Sequence, residues 1–273
     1  MATSTMERGS AGRKSAEIPI RKIGDEDLRI ALREGLNDFL TFRGDIVLAG
    51  LIYTVIGLAA VVMSTSMPLM PFFFPVVAGV GLLGPVAAVG FYELAKRRED
   101  GERDLHWFNF LDVRQRASVD DMGIVAGLLL AVFFVWLLSA GALYALIFGW
   151  TAPQSIGDFL GMVFGTVRGW TLILAGALVG AIFGWIVLAL SVVSMPMLVD
   201  RNMSASEAVA VSWRAVHANR GQMVRWGLIV LALLILGSIP AFVGLAFVLP
   251  WLGYATWHLY TRLVDRGISS PRR

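Results

Sequence analysis

Six apolar runs, each close to the length of a bilayer crossing, constrain this chain more than any other feature. A helix needs about 20 apolar residues to cross a hydrocarbon core of roughly 30 Å. Such runs fall at Ile46–Thr65, Pro71–Leu94, Gly123–Phe148, Trp170–Met195, Met223–Phe242 and Gly244–Leu263. The last two come from one almost unbroken apolar stretch, Trp226 to Val264, too long for a single helix; Pro240 and Gly244 supply a turn. Met67, Pro68 and Pro71 turn the first pair in the same manner. The expected fold is all-α: a polytopic membrane helix bundle of six transmembrane helices, with polar tails at 1–19 and 265–273 around a membrane domain over 20–264.

Composition agrees. Only 16% of the residues are charged and the mean hydropathy is +0.71, whereas a soluble domain carries about a quarter charged residues. The first 44 residues are polar and lack the apolar centre of a signal peptide, so the N-terminus is expected to be retained. With no cysteine, disulfides and thiol chemistry are excluded. Of the 23 basic residues, all but Arg168 fall on the side that carries both termini. The positive-inside rule then places both termini in the cytoplasm.

A device occurs twice. Without gaps and at one constant offset, the opening and closing segments match at Ala31/Ala208, Arg43/Arg220, Gly44/Gly221, Val47/Val224, Gly50/Gly227, Leu51/Leu228 and Ile52/Ile229. After a change of length the match resumes at Pro85/Pro250, Leu94/Leu259, Arg97/Arg262 and Asp100/Asp265. Each copy reads as an amphipathic helix leading into a span. Ser204 and Glu207 have capping-box spacing, and Asp25 is placed to cap the first copy, ahead of the acids Glu26 and Asp27. Leu28, Leu32, Leu36 and Phe39 form one apolar stripe and Val209, Trp213 and Val216 the other. Such helices are expected to lie in the cytoplasmic interface, with Arg43-Gly44 and Arg220-Gly221 as the bends into the membrane. The bland reading is a connector covering the end of the bundle; the functional one is a gate or docking surface. The middle connector, with Leu105, Phe108 and Leu111, matches too weakly to count as a third copy.

The stretches RKIGDEDLRIALREGLNDF, GFYELAKRREDGERDLHWFNF and PMLVDRNMSASEAVAVSWRAVHANRGQMVRWGLIV resemble a family of bacterial predicted integral membrane proteins, domain of unknown function 2189. The similarity runs from Ile20 to Val264. The closing unit also resembles a segment of six-span bacterial membrane proteins, including the membrane part of some glycerophosphodiester phosphodiesterases. What the resemblance implies is the fold and a multi-pass place in the bacterial inner membrane. It implies no activity, and a phosphodiesterase catalytic domain is not expected with it.

Reactive groups are scarce. The three histidines are His106 in a connector, His217 on a surface helix and His258 late in the sixth run. A haem-copper core needs several intramembrane histidines, and a lone one such as His258 is usually a hydrogen-bonded packing group. No phosphate loop, Ser-His-Asp set or metal motif occurs, so no cofactor and no metal is expected. Apart from Asp45 and Glu93 at the ends of runs, the spans carry no charge at depth, which argues against a pump or proton-coupled carrier. Glu93 is placed to pair with Arg97 one turn on.

Gly176, Gly180 and Gly184 repeat every four residues, a helix-packing face. Gly157, Gly161, Gly165 and Gly169 continue the rhythm through a shorter segment that Ser155 and Asp158 can start; it is either interfacial or re-entrant. These features point to a non-catalytic accessory, assembly or scaffold component, not an enzyme. Its partners are the lipid bilayer and other membrane proteins or itself, and no nucleic acid. The alternative is a permease or a transporter of lipid or small apolar molecules, with its path between the repeated halves.

Overall fold

Ser155, Thr166 and Ser204 each start a helix by accepting from one of its free N–H groups. A computed structural model describes residues 18–41, 75, 83–102, 109, 112, 118–149, 153–240 and 243–266. The first apolar run, Asp45, the opening of the second run, Arg43, Gly44 and His106 lie outside the described residues. The helices are α1 (Asp25–Thr41), α2 (Gly84–Ala87), α3 (Val89–Glu99), α4 (Val119–Phe148), α5 (Ile156–Gly165), α6 (Val167–Ser191), α7 (Ser194–Asp200), α8 (Ala205–Ala218), α9 (Arg220–Ser238) and α10 (Leu245–Leu263). Among the described residues the fold is all-α, with one isolated bridge between Ile20 and Val264.

The predicted capping box forms: the Ser204 hydroxyl accepts from the Glu207 N–H, and the Glu207 carboxylate from the Ser204 N–H. Ser155 likewise starts α5, accepting from the Asp158 N–H at 3.0 Å. Asp25 does not cap α1. It is the first helical residue, and Asp27 instead accepts from the Gly24 N–H at 2.8 Å.

Three helices are long and apolar enough to cross a membrane: α4, α6 continued through α7, and α9. The sixth run is a helix as expected, α10, yet it is not among these three, because its second half carries Trp257, His258, Tyr260, Thr261 and Arg262. The second run ends differently too. Its helix continues past Leu94 to Glu99, so Glu93 and Arg97 sit within α3.

α1 does not stand alone on a surface. It packs antiparallel along α10, from Asp27 beside Arg262 to Phe39, whose ring meets Phe247 edge-on at 6.0 Å between centroids. Between them the Trp251 indole donates to the Leu32 carbonyl at 2.9 Å. The helices approach closely because Gly35 has no side chain: a Cβ there would lie 2.4 Å from the Ala255 nitrogen. The buried face is therefore Leu28, Ala31, Gly35, Asp38 and Phe39, and Leu36, expected in the apolar stripe, is exposed. In α8 the buried face is Ala205, Ala208, Val211, Ser212, Ala215 and Val216, packed on α6 and α7, while Trp213 is exposed. Five of these six occupy the same constant offset from the five buried residues of α1. Only Val211 has no buried counterpart.

Burial divides the molecule into a base and a sleeve. Met122, Val125 and Leu129 of α4, Val187 to Val199 of α6 and α7, and Met223 and Trp226 of α9 join α1, α3, α8 and the end of α10 in one core. Beyond those levels α4, α6 and α9 turn large apolar side chains outward, as at Leu138, Leu146, Leu174, Leu178, Leu231 and Ile235. The exposed length of α4 after Leu129 is about 20 residues, or roughly 30 Å at 1.5 Å per residue, the thickness of a hydrocarbon core. At the far end α5 folds back over α6: Gly169 lies under the Val163 carbonyl, where a Cβ would be 2.0 Å away. Phe159 and Val163 of α5 pack on Tyr144, Phe148, Leu172 and Ile173, the last turns of α4 and the first of α6. α5 thus covers the end of the sleeve and does not descend along it.

Candidate functional site

Charge in the base is concentrated where α1, α3, α7 and α10 meet. Glu34 and Asp38 lie one turn apart on α1, and His258 and Arg262 one turn apart on the antiparallel α10, so the two pairs face each other. The His258 Nε2 is 2.8 Å from Asp38 Oδ2 and its Nδ1 is 3.3 Å from Glu34 Oε2. The other oxygen of Asp38 meets Arg98 of α3 at 3.1 Å, while Arg262 reaches Asp27 at 3.2 Å and Glu34 at 3.5 Å. Asp38 is buried, and burying a carboxylate is costly unless it is paired and hydrogen-bonded.

A second centre forms on Asp200, at the end of α7. The Tyr260 hydroxyl donates to its carboxylate at 2.8 Å, Arg266 stands at 3.5 Å, and Lys96 donates to the Asp200 main-chain carbonyl at 2.6 Å. Arg266 also pairs with Glu99, which accepts from the Trp257 indole at 3.2 Å, and lies over the Trp257 ring at 5.8 Å. Burial works against the Arg266 charge, but Glu99 and Asp200 outweigh it and raise its pKa. In a third cluster Arg97 binds Glu93 at 2.8 Å, the pair expected from sequence, and extends to Asp112 at 3.1 Å. The Glu93 hydrogen bond lifts the Arg97 pKa above its ordinary value. The first two clusters join different helices, and the third ties α3 to Asp112 of the connector that follows it.

The sequence-derived candidates are scattered. Gly180 faces α4, where a Cβ would come 3.3 Å from the Trp136 ring; Gly176 is 4.0 Å from Leu143, and Gly184 looks into open space. The chain changes direction at Asn219, so Arg220 and Gly221 lie inside the first turn of α9 and are not a bend. Asn219 holds that corner: its side chain donates to the carbonyls of Arg21 and Ala215 and accepts from the Ile23 N–H at 3.0 Å. His217 stacks on Trp213 at 4.2 Å and meets Trp185 at 6.2 Å. His258 is the hydrogen-bonded packing group that its isolation in the sequence suggested. Its partners escaped the sequence reading, although the matched four-residue spacings of Glu34/Asp38 and His258/Arg262 were visible.

Residues 73–200 match the family model described as predicted integral membrane protein (DUF2189). No curated protein and no solved structure matches the chain. The protein is an integral membrane protein with transmembrane helices.

Proposed function

From that family match and the charge ties of the base, we propose that the chain is a six-span bacterial inner-membrane protein with both termini cytoplasmic, serving as a non-catalytic accessory or scaffold component that contacts other membrane proteins. The observation that carries this reading is how the buried carboxylates are used: Asp38 joins α1, α3 and α10, and Asp200 joins α3, α7 and α10. Charge placed this way fixes helix positions. The six-span count is supported by the course of α10, which starts against α9 at Gly237 and ends beside Ile20 in the base. Its 19 residues cover about 28 Å.

In this reading the two copies of the repeated device also pack alike. Leu198-Val199-Asp200-Arg201 at the end of α7 recurs as Leu263-Val264-Asp265-Arg266 at the end of α10. Helix α8 packs on α6 and α7, the closing limb of the unit before it; α1 packs on α10, the closing limb of the last unit; and Asp112 of the middle connector pairs with Arg97 of α3. The bridge from Ile20 to Val264 and the Arg21–Asp265 pair at 3.0 Å tie the segment before α1 to the end of α10. Such units are parallel repeats about an axis along the membrane normal.

Two experiments test these readings. Gln154→Cys should react with an impermeant thiol reagent outside intact cells and Asn202→Cys only after lysis; external labelling of both refutes the topology. Solute or lipid flux through liposomes holding the purified protein alone would refute the scaffold role and favour a permease.

A further inference from the structure

The Arg220-Gly221 pair makes no bend, and its surroundings give it another use. Along α9 and its C-cap the exposed positions, among them Arg220, Gly221, Val224, Arg225, Leu228, Leu231, Ile235, Leu236 and Ile239, form one continuous face. At 100° per residue the two arginines lie on opposite edges of that face, with Gly221 between them. Nothing stands within 4 Å of the place where a Gly221 Cβ would be. Immediately beyond begins the apolar stripe from Val224 to Ile239, the outward surface of a helix long and apolar enough to cross a membrane. Among the described residues Arg220 has no ion-pair partner. Arg225 binds Asp25, and Arg29 of the adjoining α1 acts on that carboxylate and pairs with the exposed Glu26, so the corner sets three arginines, Arg220, Arg225 and Arg29, against two carboxylates.

We infer that this face docks an anionic phospholipid, its phosphate held at Gly221 between Arg220 and Arg225 and one acyl chain lying along Val224, Leu228, Leu231 and Ile235. Guanidinium groups suit the site because they offer planar pairs of donors to phosphate oxygens and stay charged. The open position at Gly221 gives the headgroup room against the backbone, and the apolar stripe continues directly from it. Asp38, Glu93 and Asp200 are turned inward, and the exposed Asp25 and Glu26 are each matched by an arginine, which leaves Arg220 as the excess charge. This inference rests on α9 crossing the bilayer, not on the scaffold role.

The test is retention of lipid by the full-length protein, purified in detergent and exchanged into nanodiscs of phosphatidylcholine with or without phosphatidylglycerol. Native mass spectrometry counts the phosphatidylglycerol that stays bound. Arg220→Gln should lower its apparent affinity about fivefold, the effect of one basic residue at a charged membrane surface. Gly221→Leu should lower it by a similar factor with no change of charge, and Arg168→Gln at the far end should leave it unchanged. The melting midpoint in pure phosphatidylcholine shows that each variant is folded; an unfolded one is replaced by Arg220→Lys, expected to fall between wild type and Arg220→Gln. Equal retention by wild type, Arg220→Gln and Gly221→Leu would overturn the site, as would equal displacement by millimolar inorganic phosphate, which would mark a free-anion site.

Discussion

Replacing Gly35 with alanine should destabilise the protein, although the same change inside an ordinary helix stabilises it by about 1 kcal/mol. The new Cβ would sit 2.4 Å from the Ala255 nitrogen, 2.6 Å from its Cα and 2.8 Å from its Cβ. Two of these atoms are backbone and cannot rotate away, so α1 and α10 must separate by about 1 Å to restore van der Waals contact. That shift stretches the Asp38–His258 hydrogen bond from 2.8 Å to about 3.8 Å, beyond bonding range, and strains the Trp251 bond to Leu32 in the same way. Overpacking costs about 1–3 kcal/mol and a hydrogen bond to a charged group contributes about 1.5–3 kcal/mol. After the gain in helix propensity a net loss of about 1.5–5 kcal/mol remains. The assay is the thermal midpoint of purified protein in one detergent, with Gly227→Ala as the control, since nothing lies within 4 Å of that position. The control should be neutral or slightly stabilised. If Gly35→Ala melts at or above the wild-type midpoint, the close contact of α1 with α10 is wrong.

Asp38→Asn should cost about 3–5 kcal/mol by breaking one member of a buried charge cluster, and denaturant titration that shows under 1 kcal/mol would place Asp38 in solvent. Gly180→Leu should destabilise by about 1–3 kcal/mol through collision with Trp136, whereas Gly184→Leu should stay within about 0.5 kcal/mol; equal melting shifts would contradict the difference between the two positions. The Arg225 hydrogen bond holds the Asp25 carboxyl below its ordinary pKa, so this tie contributes stability above the unfolded value of about 3.9 and loses it as pH falls through the depressed folded value. Arg225→Gln should therefore melt below wild type at neutral pH and converge with it under acid, and a gap unchanged by pH would exclude the pair.

The sequence by itself determined the local features of this protein. A run of spanning length, a Ser-x-x-Glu box, a Pro-Gly turn and an i,i+4 Glu93–Arg97 pair each depend on residues close in the chain. They specified the course of α4, α6, α9 and α10, the start of α8 and the charge pair on α3. Tertiary structure decided which apolar residues meet protein and which remain outside. Leu129 is buried and Leu130 exposed, yet their hydropathy is identical, because lipid and protein interior are equally apolar neighbours. For the same reason small residues, Ala31, Gly35, Ala208 and Ser212, complete the packed faces of α1 and α8 beside Leu28, Phe39 and Val216, while Leu36 and Trp213 of the expected stripes stay outside. The base clusters were hidden for another reason: Asp38 and His258 stand 220 residues apart, and no local pattern specifies a partner at that distance. Packing alone brings them together, since the absence of a side chain at Gly35 lets α1 lie against α10 closely enough for the carboxylate to reach the ring.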